Sequence, residues 1–314
     1  MDNFESIVTV PSVDASLAWD DDFDVAYRSA DAILAHPRFA DARLAYFDQL
    51  DRVYGENPFL NKLMMQAGRM MLFFLIICLE AGYREEDRAS WPTLANILRM
   101  LKPMGVASEG HVSQLIGRLV HVGFLSTRPS PVDARVRLLG PTPAMLAHDQ
   151  DWLIAHYAPL ATLYGSASYS LPMSRNGAFQ IAQRGIAAQA FAKLAAPLLD
   201  NPIILFFGVH DAAFLILTTL AGDASRANSD SATVPYAALA RRFSVSRTHV
   251  RRILAEAQAN GWVQLAGARE RSVVLQPPLL QALDRFIAEA MSNHDRTGRA
   301  AERLLLAASD RATN

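Results

Sequence analysis

The sequence predicts a mainly α-helical chain made of two copies of one unit, each a pair of short helices followed by a small β-hairpin. Three observations predict it. First, His111-Val112-Ser113-Gln114-Leu115-Ile116-Gly117-Arg118-Leu119-Val120-His121-Val122-Gly123-Phe124-Leu125 aligns without a gap on His249-Val250-Arg251-Arg252-Ile253-Leu254-Ala255-Glu256-Ala257-Gln258-Ala259-Asn260-Gly261-Trp262-Val263, at an offset of 138. Shared amphipathic periodicity alone does not reproduce the glycine, aromatic, aliphatic ending of both blocks. Second, 314 residues suit two domains of ordinary size. Third, 51% hydrophobic and 19% charged residues exclude global disorder.

Each element can be placed in order. Helical stretches lead both copies, near 24–53 and 174–199. Strongly apolar helices follow at 59–81 and 203–221, closed by Gly82 and Gly222 as C-caps. A weaker register supports the pairing: Asn61, Gly68, Phe74, Leu75, Ile76, Ala81 and Gly82 match Asn201, Gly208, Phe214, Leu215, Ile216, Ala221 and Gly222 at an offset of 140. Short helices at 93–101 and 236–243 have Pro92 and Pro235 near their starts, where proline is tolerated. Ser108 and Ser246 then N-cap a second helix. It buries Val112, Leu115, Ile116 and Leu119 in one copy and Val250, Ile253, Leu254 and Ala257 in the other, at i, i+3, i+4, i+7. Past Gly123 and Gly261 come paired extended segments, 124–126 with 136–139 and 262–265 with 272–275. A last helix spans 143–164 or 279–291. The implied division is an acidic leading segment 1–54, units 55–165 and 166–292, and a helical tail 293–314.

Helix, turn, helix, glycine and hairpin is the winged helix-turn-helix order. The segment Leu239–Leu254 resembles bacterial regulators at this position, and the apolar helices around it make each unit resemble the MarR family of winged-helix transcription regulators. The resemblance covers roughly 55–165 and 174–292. It implies a tandem winged helix-turn-helix chain, a pseudo-twofold single-chain dimer that works as a monomer or pairs again as a homodimer, with double-stranded DNA as partner. Members of this family carry an effector groove between DNA-binding and dimerisation regions. That makes His210-Asp211, a polar pair inside an apolar run, the residues to inspect for a small-molecule effector.

A helix in the major groove needs polar side chains on its outward face. In the second unit, Ser246, Arg247, Thr248, His249, Arg251 and Arg252 meet that need. Arg241 and Arg242 precede them, and Arg269 and Arg271 sit in the hairpin turn. Arginine bonds guanine through two parallel donors. In the first unit the corresponding set is Ser108, His111, Ser113, Gln114 and Arg118, with Arg128, Arg135 and Arg137 in the hairpin. Its outward face is poorer in charge, and the insertion around Lys102-Pro103-Met104-Gly105 lengthens its turn, so backbone contact is expected there rather than base readout.

The net charge of −1 argues against a uniformly basic protein but conceals a segregation. Residues 234–275 carry +5, residues 91–140 carry +4, and residues 1–52 carry −7. Asp20, Asp21, Asp22 and Asp24 are expected on a solvated surface. The single cysteine, Cys78, excludes a disulfide framework, and its apolar neighbours make it an inert buried thiol. The eight histidines show no metal-ligand spacing, no glycine-rich phosphate loop is present, and no catalytic constellation is evident. No cofactor, metal or enzymatic activity is therefore expected. The N-terminus lacks the pattern of a signal peptide and the apolar runs are too short to span a bilayer, so a cytoplasmic protein is expected. The expected function is sequence-specific transcriptional regulation, with two recognition helices in successive major grooves ~34 Å apart. A plasmid-type replication initiator and a tandem winged-helix interaction subunit are the alternatives.

Overall fold

The computed structural model describes residues 17–313 except 56, 234 and 267–271. The chain opens with an antiparallel hairpin, β1 (Leu17–Asp20) and β2 (Val25–Arg28), where the sequence predicts the start of a helix. The reason is local. The Asp20 carboxylate accepts the Phe23 N–H at 2.9 Å and Asp24 takes φ +53°, which closes a tight turn. Helices α1 (Ala30–Leu34) and α2 (Phe39–Tyr54) follow. Next come α3 (Pro58–Met64), α4 (Ala67–Ala81), α5 (Leu94–Leu101) and α6 (Glu109–His121). The antiparallel pair β3 (Leu125–Pro129) and β4 (Arg137–Pro141) then leads into α7 (Pro143–Tyr164).

The second half runs through α8 (Ser170–Met173), α9 (Gly177–Gln189), α10 (Phe191–Leu199), α11 (Pro202–Val209) and α12 (Ala213–Arg226). Strand β5 (Ser231–Thr233) precedes α13 (Tyr236–Arg242) and α14 (Arg247–Ala259). Strands β6 (Val263–Ala266) and β7 (Ser272–Leu275) then lead into α15 (Pro277–Thr313). The sheet here is antiparallel, in the order β5-β7-β6. The whole is mainly helical with small antiparallel sheets.

The register at 138 is visible in the backbone. Ser108 Oγ accepts the His111 N–H at 3.3 Å and Ser246 Oγ accepts the His249 N–H at 3.0 Å, so α6 and α14 start alike. Leu139 N–H donates to the Pro92 carbonyl and Leu275 N–H to that of Asp230, both at 2.8 Å, hooking each hairpin to the segment before its first short helix. The register at 140 does not survive. Asn201 caps α11 by accepting the Ile204 N–H at 3.1 Å, and the residue that does the same for α3 is Asn57, bonding Leu60 N–H at 3.0 Å, not Asn61. Gly82 ends α4, whereas Gly222 lies within α12, whose C-cap is Ala227.

Both long apolar helices are broken. The stretch 59–81 divides into α3 and α4, bent by 86°. The Gln66 side chain accepts the Arg69 N–H at 3.2 Å and caps the second piece. The stretch 203–221 breaks at His210–Ala212, where Ala212 takes φ +53°. The two breaks meet: Ala212 N–H donates to the Met65 carbonyl at 2.8 Å, and Arg69 Nη2 pairs with Asp211 Oδ1 at 2.9 Å.

The halves interleave around one hydrophobic core. Helix α2 packs along α7 of its own half and also on α12 of the other; α9 packs along α15 and also on α4. The boundary expected at 292 falls inside α15, which continues without a break. Beyond it, buried Asp295 accepts the Arg28 N–H at 2.6 Å and the Tyr169 hydroxyl at 2.8 Å. The first part of the tail, through Ala301, is therefore part of the core assembly, while Arg303, Leu304 and residues 306–311 are exposed. Among the described residues, no single helix is long and apolar enough to cross a membrane.

Candidate nucleic-acid interface

Helix α14 follows α13 after a three-residue turn, Phe243-Ser244-Val245, in which Ser244 takes φ +54°. Val250, Ile253, Leu254 and Ala257 are buried, as the periodicity predicts, which leaves Arg247, Thr248, Arg251 and Arg252 exposed together. Arg252 Nη1 also reaches Glu256 at 3.1 Å, one turn along the same face, an exposed pair that holds its position only weakly. Ser246 is used as the N-cap. Arg241 is exposed on α13, while Arg242 is half-buried and paired with Asp51 of α2.

His249 is not an outward group. Its Nε2 lies 2.9 Å from the Asp211 carbonyl oxygen, which can only accept, so that nitrogen carries the proton. The contact ties the start of α14 to the break between α11 and α12. His210 has its Nδ1 2.7 Å from the Phe206 carbonyl and its ring against the Phe206 ring. The polar pair in the apolar run is thus explained by a helix break, with each residue already partnered.

In the first half, α5 and α6 are separated by a longer turn, a 3-10 stretch Lys102–Met104 and Gly105 at φ +67°. Ser113, Gln114 and Arg118 are exposed on α6, and His111 is half-buried. The hairpin departs from expectation. Arg128 is half-buried and pairs with Glu80 of α4 at 2.9 Å, its guanidinium 5.9 Å from the Tyr83 ring, so it braces the hairpin on the core. Arg137 donates across the hairpin to Thr127 Oγ1 at 3.1 Å, and Arg135 is exposed in the connecting loop. Arg269 and Arg271 lie outside the described residues.

One cleft of ≈ 390 Å³ is bordered by Arg118 of α6 on one side and by Ser246 and His249 of α14 on the other. Its lining adds Lys62 and Arg69, two cations that the sequence reading passed over, against the single acid Asp211. The available signal was a lysine and an arginine flanking the point where an otherwise apolar stretch bends. The acidic residues Asp20, Asp21, Asp22 and Asp24 of the leading segment lie away from this cleft's lining. Asp21, Asp22 and Asp24 are exposed, as expected, with Asp22 and Asp24 in surface ion pairs with Lys193 and Arg303; Asp20 departs from the expectation, buried against Arg296 at 3.2 Å.

Cys78 is buried and burial pushes its thiol up to about 12, which leaves no thiolate for redox chemistry near neutrality. Among the described residues no group of three or more His, Cys, Asp or Glu could hold a metal ion. Comparison with family models, curated proteins and solved structures returns no match.

Proposed function

We propose that the chain is a sequence-specific double-stranded DNA-binding protein, a transcriptional regulator built from two winged-helix units of the kind the MarR family uses. The observation that carries the reading is the exposed row Arg247, Thr248, Arg251 and Arg252 on a capped thirteen-residue helix, preceded by a short helix and followed by a hairpin. Such a helix fits the major groove with its N-terminal residues against base edges. Helix α14 reads sequence. Helix α6, whose outward face is Ser113, Gln114 and Arg118, contacts the backbone. The shared cleft argues for one continuous basic surface across both units, in place of two separate faces a full helical turn apart. Lys62 and Arg118 would then meet phosphates, a contact that fixes register without carrying sequence.

The test is a gel shift on genomic fragments with the full chain at two salt concentrations. The expected result is a specific complex whose affinity falls steeply with salt. Replacing Arg247 or Arg251 by Ala is expected to weaken that complex by ~1–3 kcal/mol for each lost bidentate contact and to relax discrimination at one base. Lys62→Ala is expected to weaken specific and nonspecific DNA equally. Unchanged affinity of Arg247→Ala and Arg251→Ala for the selected site would overturn the assignment of α14.

A further inference from the structure

A series of contacts through the two helix breaks joins one candidate recognition helix to the other. It starts at α14. His249 sits in the first turn of that helix, and its Nε2 donates to the Asp211 carbonyl at 2.9 Å. Asp211 faces both ways: its carbonyl holds α14, while its carboxylate pairs with Arg69 of α4 at 2.9 Å. Arg69 is fixed in turn, because its Nη1 donates to the Lys62 carbonyl of α3 at 2.9 Å and so spans the bend between α3 and α4. One residue past Asp211, Ala212 N–H donates to the Met65 carbonyl at 2.8 Å, which ties the same two breaks a second time through backbone alone.

The series ends at α6. Gly68, in the first turn of α4, lies so close to the turn before α6 that a Cβ there would stand 2.5 Å from the Val106 carbonyl oxygen. Val106 is two residues before Ser108, the N-cap of α6. The junction is held, not loosely apposed. Ala212 keeps φ +53°, a left-handed conformation unfavourable for a residue with a Cβ, and is buried. Such a residue persists only where its surroundings over-determine it, and the bond to Met65 is part of that constraint.

We propose that Asp211 is a positioning residue: joined to His249 on one side and to Arg69 on the other, it fixes the spacing between α6 and α14. Its consequence for base recognition rests on the DNA-binding reading; the tie between the helices does not. A helix that reads base edges has to be held to a fraction of an ångström, and a phosphate contact from α6 sets the register of α14 only if their separation is constant. Each helix keeps its own buried face, Val112, Leu115 and Leu119 or Val250, Ile253 and Leu254, so cutting the tie frees their spacing without unfolding either.

The experiment places spin labels at His121→Cys of α6 and Ala255→Cys of α14, both exposed positions, and measures the distance distribution between them in the full chain without DNA. Cys78 is buried and stays unlabelled. With the tie intact the distribution is expected to be single and narrow. His249→Leu and Asp211→Ala are each expected to shift or broaden it by ~2 Å or more. His249→Gln, which keeps a side-chain N–H, is expected to restore it. In gel shifts His249→Leu is expected to lose at least ~3-fold in affinity for the selected site, with nonspecific duplex unchanged. An unchanged distribution in either folded variant overturns the proposal, and a loss of site affinity without a change in distance overturns it in favour of direct contact between His249 and DNA. A changed distribution in a chain that binds no specific site supports the tie and overturns the DNA-binding reading instead.

Discussion

Asp149 and Arg184 form the most deeply buried ion pair described, with side-chain exposures of 0% and 6% and an Nη2–Oδ1 distance of 2.6 Å. Gln180 Nε2 adds a bond to Asp149 Oδ2 at 2.8 Å. Burial penalises both charges, and the fork of donors on one carboxylate offsets that penalty. Removing one partner strands the other. Asp149→Ala is expected to cost ~3–5 kcal/mol in urea-induced unfolding; a loss below ~1 kcal/mol would mean that Arg184 finds water. At this scale the sequence was informative where the cause is local. Ser246, Arg247, Thr248 and Arg251 follow from a cap and a period of 3.6. It reads Arg128 and His249 as DNA contacts and misses their partners, Glu80 and the Asp211 carbonyl, which lie 48 and 38 residues away. An arginine that braces a hairpin and one that awaits a phosphate have the same letter.

Helices α4 and α12 show why element boundaries were harder to place than element types. A helix buried nearly all round carries no polar stripe, so its sequence gives no period to follow and no cue for a bend. The breaks at Met65-Gln66 and His210-Ala212 become intelligible only when each is seen to bond the other. Gly68 belongs to the same scale. A Cβ there would stand 2.5 Å from the Val106 carbonyl oxygen, where α4 presses on the turn between α5 and α6. Backbone cannot rotate aside as a side chain can. Gly68→Ala is expected to destabilise the chain by ~1–3 kcal/mol, read as a lower denaturant midpoint with unchanged slope. Gly208, its partner in the register at 140, faces the flexible tip of Leu198 at 3.0 Å, so Gly208→Ala should be milder. Equal effects at both positions would contradict this reading of the contacts.

The whole molecule carries its histidines in a way that sets a pH dependence. Burial lowers His148, lowers His156 to about 4 from the ordinary 6.5, and holds His294 well below that value. An unfolded chain takes up these protons near pH 6.5, while the folded chain does not until far lower. More protons are bound by the unfolded state between those limits, so stability is at its full value above about pH 7 and falls as pH drops toward 4. The slope is roughly 1.4 kcal/mol per pH unit per histidine. Urea unfolding at about pH 7.5 and about pH 5.5 should show a loss of roughly 3–4 kcal/mol, reduced in His294→Phe. Equal stability at the two values would show that the histidines protonate in place. Of this scale the sequence revealed a mainly helical chain with small hairpins but not the interleaving, since nothing in the local pattern of α9 says that it will lie on α4.

That exchange of helices has a consequence for how the chain is made. Helix α4 ends at residue 81, and α9, which covers part of it, begins at residue 177. On a ribosome adding ~5–20 residues per second, α4 therefore waits on the order of 5–20 s for its cover to emerge. Through that interval Leu72, Phe73, Leu75, Ile76 and Ile77, all buried in the finished molecule, belong to a nascent chain whose second half does not yet exist. Slowing translation between residues 82 and 177 should lower the soluble yield, and supplying a chaperone that shields apolar helices should restore it.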